Sequence, residues 1–144
     1  MRHFYSPADE MLGKYTEFDG TIRFYSRVHT LLNHKSVVLD LGAGRGSWFY
    51  EDDCDYRRKL RNIKEYVGEF IGADIDEEIL KNPTTTKNLL IVDGKIPIKD
   101  NSIDIIISDY VLEHIKDPKI FFTEINRILK KNGFFCARTP HKYD

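Results

Sequence analysis

Apolar positions along the chain alternate between two periodicities, one typical of buried strands and one typical of amphipathic helices. Five short runs rich in β-branched or apolar residues predict strands, at Ser36–Leu41, Glu69–Asp74, Leu89–Asp93, Ile103–Ser108 and Phe134–Arg138. Helical patterns separate several of these runs. Strands that alternate with helices form right-handed β-α-β units and a mostly parallel sheet, so the predicted fold class is α/β.

Two helices are predicted before the first strand. Ser6-Pro7 is typical of an N-cap followed by a first helical residue, so a short helix is expected to continue to about Leu12. A longer helix is predicted over Asp19–Asn33, with an apolar face of Ile22, Tyr25, Val28, Leu31 and Leu32. We therefore expect an N-terminal helical cap, residues 1–35, on a core of residues 36–144.

A further helix is predicted between the last two strands. Asp117 is its expected N-cap, Pro118 its first residue and Gly133 its end. Its apolar stripe consists of Phe121, Ile125, Ile128 and Leu129.

Composition narrows the class of protein. The 144 residues correspond to one domain, and 22 basic against 23 acidic side chains give a net charge of −1. We therefore expect neither nucleic acid nor membrane as a partner, because no general electrostatic attraction favours them. Cys54 and Cys136 are distant in sequence and have no C-x-x-C spacing, which argues against a disulfide framework and a thiolate zinc site. With no membrane-length apolar run and no signal-peptide pattern at the start, a cytoplasmic location is expected.

A glycine-rich loop follows the first predicted strand and gives the first indication of a ligand. Gly42, Ala43, Gly44 and Gly46 allow a tight turn and a close backbone approach, and a helix N-terminus follows them. Asp40, two residues before Gly42, would repel a pyrophosphate but attract a primary ammonium. The loop therefore favours a zwitterion, with its ammonium near Asp40 and its carboxylate near the loop amides and the helix start.

The order of motifs resembles that of class I S-adenosylmethionine-dependent methyltransferases of the type 11 group. The resemblance runs from about Val37 to Pro140 and depends on Asp40–Gly46, Gly72–Asp76, Ile91–Gly94, Asp100–Ser108, Leu112–His114 and Arg127–Gly133. It implies a Rossmann-like sheet with five of the usual seven strands and S-adenosylmethionine as the cofactor.

The resemblance also assigns roles to single residues. It implies that Asp74 binds both ribose hydroxyls and that Ile75 packs on the adenine. Asp93 would accept a hydrogen bond from the adenine amino group, and the backbone at Gly94 would contact the ring. Asp109, just past the fourth strand, is expected to contact the methionine part of the cofactor.

His114 is the candidate catalytic residue, as a general base for a hydroxyl acceptor, because imidazole titrates near neutral pH. The alternative is a histidine that only packs at the start of a helix. Some members of the resembled family hold a metal with Glu-x-x-Glu-His at this place. Tyr110 occupies the first of these positions here, so no metal is expected.

The segment between Gly46 and Asp74 is longer than a compact unit of this type requires. It contains a basic stretch, residues 57–64, for which there are two interpretations. The stretch either binds an anionic acceptor or forms a solvent-exposed helix face whose charge is offset by acidic neighbours. The insertion resembles a subgroup of bacterial methyltransferases associated with surface-glycan synthesis. A small molecule or glycan precursor is therefore the expected methyl acceptor.

The last predicted strand, Phe134–Arg138, is apolar enough to be buried on both faces, yet no later strand is predicted beside it. This open edge predicts either a homo-oligomer or packing of the N-terminal helices toward it. It also suggests an incomplete core of a longer protein. The expected function is methyl transfer; the alternatives are a cofactor-binding module without catalysis and, disfavoured by Asp40, an NAD-dependent oxidoreductase.

Overall fold

A computed structural model describes residues 10–140 and has a five-stranded, fully parallel sheet in the order β3-β2-β1-β4-β5. The strands are β1 (Val37–Leu41), β2 (Glu69–Asp74), β3 (Lys87–Leu90), β4 (Ile103–Asp109) and β5 (Leu129–Arg138). This architecture confirms the predicted α/β, Rossmann-like fold.

Four α-helices flank the sheet: α1 (Gly20–His29), α2 (Trp48–Glu51), α3 (Asp55–Arg61) and α4 (Pro118–Ile128). Short 3-10 helices lie at Ile63–Glu65, Glu77–Lys81 and Leu112–His114. The predicted cap of α4 is present, since Asp117 accepts from the Ile120 amide. Asp19, predicted as the first residue of α1, is its N-cap and accepts from the Ile22 amide, and the helix ends at His29 instead of Asn33. The predicted helix at Ser6-Pro7 lies mostly outside the described residues, and residues 10–14 form a turn.

The sheet buries an apolar layer on each face. On one face, Leu39 and Ile106 pack against Ile125 and Ile128 of α4. On the other, Val38 and Ile105 pack in one cluster with Tyr25 and Val28 of α1. Side chains alternate between the faces of a strand, so Asp40 points to the α1 side. Helix α1 thus packs directly on the sheet.

The end of α4 corrects one expectation from the sequence. Gly133 does not end the helix. Helix α4 ends at Ile128, and the chain enters β5 at Leu129 with no loop between them. A Cβ at Gly133 would lie 2.9 Å from the Asp104 carbonyl oxygen. The glycine is therefore required by the close approach of two strand backbones at a register shift near Ile103, not by a helix cap.

Two strands differ from their predicted bounds. Strand β3 begins at Lys87 and ends at Leu90, where it pairs with Ile71–Asp74 of β2, and the turn after it is closed between Val92 and Lys95. Strand β5 is not buried on both faces as predicted, since Phe134 is 53% exposed. Its outer edge has no partner strand within residues 10–140, and the homo-oligomer stays a prediction.

Strand order reverses at β1, which pairs with β2 on one side and β4 on the other. The loops that leave the carboxyl ends of β1 and β4 therefore separate and leave a crevice, the usual ligand position in such sheets. Among the described helices, none combines the length and apolarity needed to cross a bilayer.

Arg127 joins α4 to the loop between β3 and β4. Its guanidinium donates to the carbonyl oxygens of Ile98 (2.8 Å) and Ile96 (2.9 Å) and pairs with Glu124. Glu124 in turn accepts from the Ile96 amide at 2.8 Å. Arg127 and Glu124 thereby provide hydrogen-bond partners for backbone groups of a loop that is neither helix nor strand.

We expect Arg127→Ala to lower the free energy of unfolding by about 1–3 kcal/mol, because two carbonyl groups and the Glu124 carboxylate lose their donor. Chemical denaturation measures the change. Arg23→Ala, at an exposed position of α1, is the control and should change stability by less than about 0.5 kcal/mol. Equal effects of the two substitutions would contradict the structural role of Arg127.

Candidate cofactor and acceptor site

The glycine loop turns sharply from β1 toward α2. Gly42, Gly44 and Gly46 all have positive φ angles, of 82°, 49° and 70°. At Gly42 a Cβ would lie 2.3 Å from a methyl carbon of Val111, so a side chain fits neither the conformation nor the space. The glycines thus bring the loop backbone against the segment that follows β4.

Asp74, at the end of β2, holds this loop in place. Its Oδ2 accepts from the Gly44 amide at 2.9 Å, and its Oδ1 accepts from the Asp76 amide at 3.0 Å. Each oxygen keeps a further lone pair for a hydroxyl donor. Asp76 caps the following 3-10 helix by accepting from the Glu78 amide.

Asn82 is a loop-supporting residue that the sequence analysis missed. Its side-chain amide donates to the carbonyl oxygens of Ala43 (3.1 Å) and Gly44 (2.9 Å). Its Oδ1 accepts from the amide and hydroxyl of Thr84, which fixes its orientation. A lone Asn before Pro83 in the sequence gives no sign of this role, because the contacts span about forty residues.

A cavity of about 700 Å³ opens beside the glycine loop on the α4 side. Asp74 and Ile75 line it from the end of β2, and Asp93 and Gly94 line it from the turn after β3. Ile75 is 78% exposed, so an apolar side chain is presented to the cavity without a protein partner to cover it. With Gly42 of the loop, the structure thus brings five of the predicted cofactor-binding residues together around the cavity.

The turn after β3 has a defined geometry. Asp93 and Gly94 both have positive φ angles, 51° and 72°, and the Lys95 amide donates to the Val92 carbonyl at 3.0 Å. Two successive left-handed residues form a tight two-residue turn that favours Asp and Gly. The turn places Asp93 and Gly94 in the cavity wall.

Asp40 lies on the opposite, α1 side of the loop. Burial raises the pKa of its carboxyl to about 7, against the opposing effect of the Arg61 charge, and the charges of Asp109 and Asp74 raise it further. Burial and the Asp40 charge also raise the pKa of Tyr25. Near neutral pH this acid is poised to ionise when a positive group arrives.

Asp109 is placed differently from the expectation. Its side chain is 8% exposed and does not line the cavity. The carboxylate instead makes a two-point ion pair with Arg138 (2.6 and 2.8 Å) and accepts from the Tyr25 hydroxyl at 3.3 Å. Both carboxylate oxygens of Asp109 thus already have protein partners. Contact of Asp109 with the methionine part of a cofactor stays a prediction.

His114 is exposed in the short 3-10 helix after β4 and lines the cavity together with Tyr110. The Tyr110 ring also lies against the Arg138 guanidinium, at 4.6 Å. Within residues 10–140, no three His, Cys, Asp or Glu side chains converge in a way that could hold a metal.

The basic stretch divides into two kinds of residue. Arg57 turns inward and binds Asp52 and Asp19, which gives it a structural role. Arg61 also turns inward, beside Trp48 and Tyr25. Lys59 is exposed, as a solvated helix face predicts. Neither interpretation of the stretch therefore holds for all of its cations.

Comparisons with known proteins agree with this geometry. The profile of a family described as "Methyltransferase domain" matches residues 39–137. The human mitochondrial protein named arginine-hydroxylase NDUFAF5 is 32% identical over 119 residues, which cover 80% of this chain and 32% of that protein. Demethylmenaquinone methyltransferase of Staphylococcus aureus is 25% identical over 140 residues, covering 85% of this chain and 58% of that enzyme.

Among solved structures, the YcgJ protein of Bacillus subtilis superposes with a TM-score of 0.58 at 25% identity. The superposition covers 76% of this chain and 47% of that one. The chain thus spans about a third of the length of the human relative and less than two thirds of the staphylococcal one. Because the family profile covers well over half of the residues, the chain belongs to the methyltransferase domain family of class I S-adenosylmethionine-dependent methyltransferases.

Proposed function

We propose that the chain binds S-adenosylmethionine and positions it for methyl transfer to a small molecule or glycan precursor. The observation that carries this proposal is the cavity at the carboxyl ends of the strands, where Asp74, Ile75 and Asp93 converge beside the glycine loop. A volume of about 700 Å³ is within the usual range for small-molecule sites.

The residues present fit the cofactor. Asp74 offers lone pairs to two ribose hydroxyls while its amide contacts keep it rigid. Ile75 provides an uncovered apolar surface for a flat adenine, and Asp93 an acceptor for its amino group. On the other side of the loop, the buried Asp40 suits the ammonium of the methionine part, because a positive group there would favour its carboxylate form. When bound, the cofactor supplies a methyl group that its sulfonium charge already activates.

The acceptor side of the site lies along the segment after β4. Val111 and Ile115 give the cavity apolar walls, while His114 and Tyr110 provide polar groups near its rim. His114 is the group we assign to take the proton from a hydroxyl acceptor as its oxygen attacks the methyl carbon. Alignment of the two reactants supplies most of the rate gain in such a displacement, about 7–11 kcal/mol in well-oriented systems.

The two relatives differ in the reaction that their names state, and only the staphylococcal one is named for methylation. The staphylococcal enzyme is named for methylation of demethylmenaquinone, whereas the human protein is named as an arginine hydroxylase. Hydroxylation is therefore the second candidate, and a cofactor-binding module without catalysis is the third.

Calorimetry with S-adenosylmethionine, and with NAD as the comparison nucleotide, tests the binding step. Incubation with cofactor carrying an isotopically labelled methyl group and a panel of sugar nucleotides and hydroxylated small molecules tests transfer. Mass spectrometry separates an added methyl group from an added oxygen. A folded chain that does not bind S-adenosylmethionine contradicts the proposal; binding without transfer to any acceptor favours the non-catalytic module.

We expect Asp74→Ala to weaken S-adenosylmethionine binding by about tenfold or more, because charge-assisted bonds to two hydroxyls and the support of Gly44 are lost together. Calorimetry measures the dissociation constant. Asp76→Ala is the matched control, since it also removes one amide acceptor but its side chain caps a helix outside the cavity lining. The assignment of Asp74 fails if both variants bind equally well.

We expect Asp40→Asn to stabilise the ligand-free protein more at pH 7 than at pH 4. The folded pKa of Asp40 is about 7, whereas the unfolded value is about 3.9, so ionisation costs folding free energy across this range. The stability of the wild type therefore falls relative to the variant as the pH rises from about 4 to about 7. Denaturant titrations of both proteins at several pH values between about 4 and about 7 measure this difference. A pH-independent difference for Asp40→Asn would contradict the raised pKa.

A further inference from the structure

Arg61 is the one inward-facing cation of the basic stretch that its protein neighbours do not satisfy. Its Nε is buried and has no hydrogen-bond partner, and Ser108 Oγ is the other side-chain atom of this kind among residues 10–140. The nearest carboxylate oxygen, on Asp109, lies 3.8 Å from Nη2, beyond hydrogen-bond distance. Asp109 already has Arg138 as a two-point partner and does not require Arg61.

The position of Arg61 is nevertheless well fixed. Its guanidinium lies 5.4 Å from the centre of the Tyr25 ring and 5.1 Å from the centre of the Trp48 ring. Trp48 is the first residue of α2, directly after the glycine loop, and the Arg61 side chain is only 23% exposed. Two aromatic faces thus hold a cation at the carboxyl ends of β1 and β4.

The glycine loop offers few free donors of its own. The amides of Gly42 and Ala43 donate to the Ala73 carbonyl, that of Gly44 to Asp74, and that of Gly46 to the Ala43 carbonyl. Helix α2 has four residues and no side-chain cap, so it makes a weak anion site. These amides are therefore poor candidates for the carboxylate of a bound zwitterion, contrary to the expectation from the sequence.

An amino-acid zwitterion carries its two charges a few ångströms apart, so its site needs an acid and a base that are neighbours. Asp40 and Arg61 are such a pair, because both lie on the α1 side of the loop beside Tyr25 and Asp109; the Arg61 guanidinium is 5.4 Å from the Tyr25 ring centre and 3.8 Å from Asp109. We propose that Arg61, from the segment inserted between the glycine loop and β2, binds the carboxylate of the cofactor's methionine part. This rests on the proposed function and names a binding residue for it.

The same geometry explains why only one cation of the basic stretch has this role. Arg57 is held by Asp52 and Asp19, and Lys59 is exposed on the outer side of α3. Arg61 alone combines a buried unsatisfied donor with a position next to Asp40. The inserted segment thereby contributes to the cofactor site itself rather than to a general basic surface.

The test compares S-adenosylmethionine with decarboxylated S-adenosylmethionine, which keeps the adenosine, the sulfonium and the amine but lacks the carboxylate. Calorimetry gives dissociation constants of both compounds for the wild type, Arg61→Gln, Arg61→Lys and the control Lys59→Gln. Circular dichroism and thermal melting establish that each variant is folded.

We expect the wild type and Lys59→Gln to prefer the carboxylate-bearing compound by about tenfold or more, as a charge-assisted contact implies. Arg61→Gln should lose this preference, while its affinity for the decarboxylated compound changes by less than about twofold. Arg61→Lys should keep part of the preference, because its charge remains but its fork of donors is lost.

The inference is wrong if Arg61→Gln lowers the affinity for both compounds by the same factor, or if the wild type binds both with the same affinity. In either case S-adenosylmethionine still binds, so the proposed function stands. A folded wild type that binds neither compound would overturn the proposed function together with this inference.

Discussion

The reversal of strand order at β1 is the constraint on which the rest of the molecule depends. Because β1 pairs with β2 on one side and β4 on the other, their carboxyl ends meet and their loops must separate. The glycine loop lies at the resulting crevice. The carboxylate of Asp74 accepts from one of its amides, and the side-chain amide of Asn82 donates to two of its carbonyl oxygens. These two residues hold the left-handed backbone at Gly42, Gly44 and Gly46, a conformation that glycine adopts without a steric penalty.

The loop divides the site into two environments with different physical chemistry. On the α4 side the cavity is open and mostly apolar, with Ile75 uncovered, which suits a flat, neutral ring. On the α1 side Asp40, Asp109, Arg61 and Arg138 are packed under aromatic rings, where burial makes every charge costly unless it is paired. Asp109 and Arg138 satisfy each other. Among residues 10–140, Asp40 and Arg61 remain with opposite charges and without a hydrogen-bonded ion-pair partner, so a zwitterion could pair with both.

Much of this arrangement follows from local patterns in the sequence. The runs around Val38, Ile71 and Ile106 gave the three central strands almost to the residue, because strands buried on both faces must be continuously apolar. Asp117 identified the start of α4, since capping is an interaction between near neighbours in the chain, and the apolar periodicity placed the start of α1 at Asp19. The order of the motifs, with Asp40 and Asp74 near the ends of β1 and β2 and Asp93 in the turn after β3, indicated the family and its cofactor.

What the sequence could not determine are the interactions between residues far apart along the chain. The end of α4 and the early start of β5 are set by pairing with β4, and Gly133 serves a close approach to Asp104, which no local pattern reveals. From composition alone, the basic stretch could be given only one role for all of its cations. The tertiary structure distinguishes them, because Arg57 and Arg61 point inward and Lys59 is exposed. The pKa of Asp40 and the pairing of Asp109 with Arg138 depend on burial between α1 and the sheet. The sequence by itself thus determined the fold and the kind of ligand, because these follow from periodicity and motif order. Only the tertiary structure decided which charged side chains are already paired and which remain for the ligand, because pairing depends on distance in space.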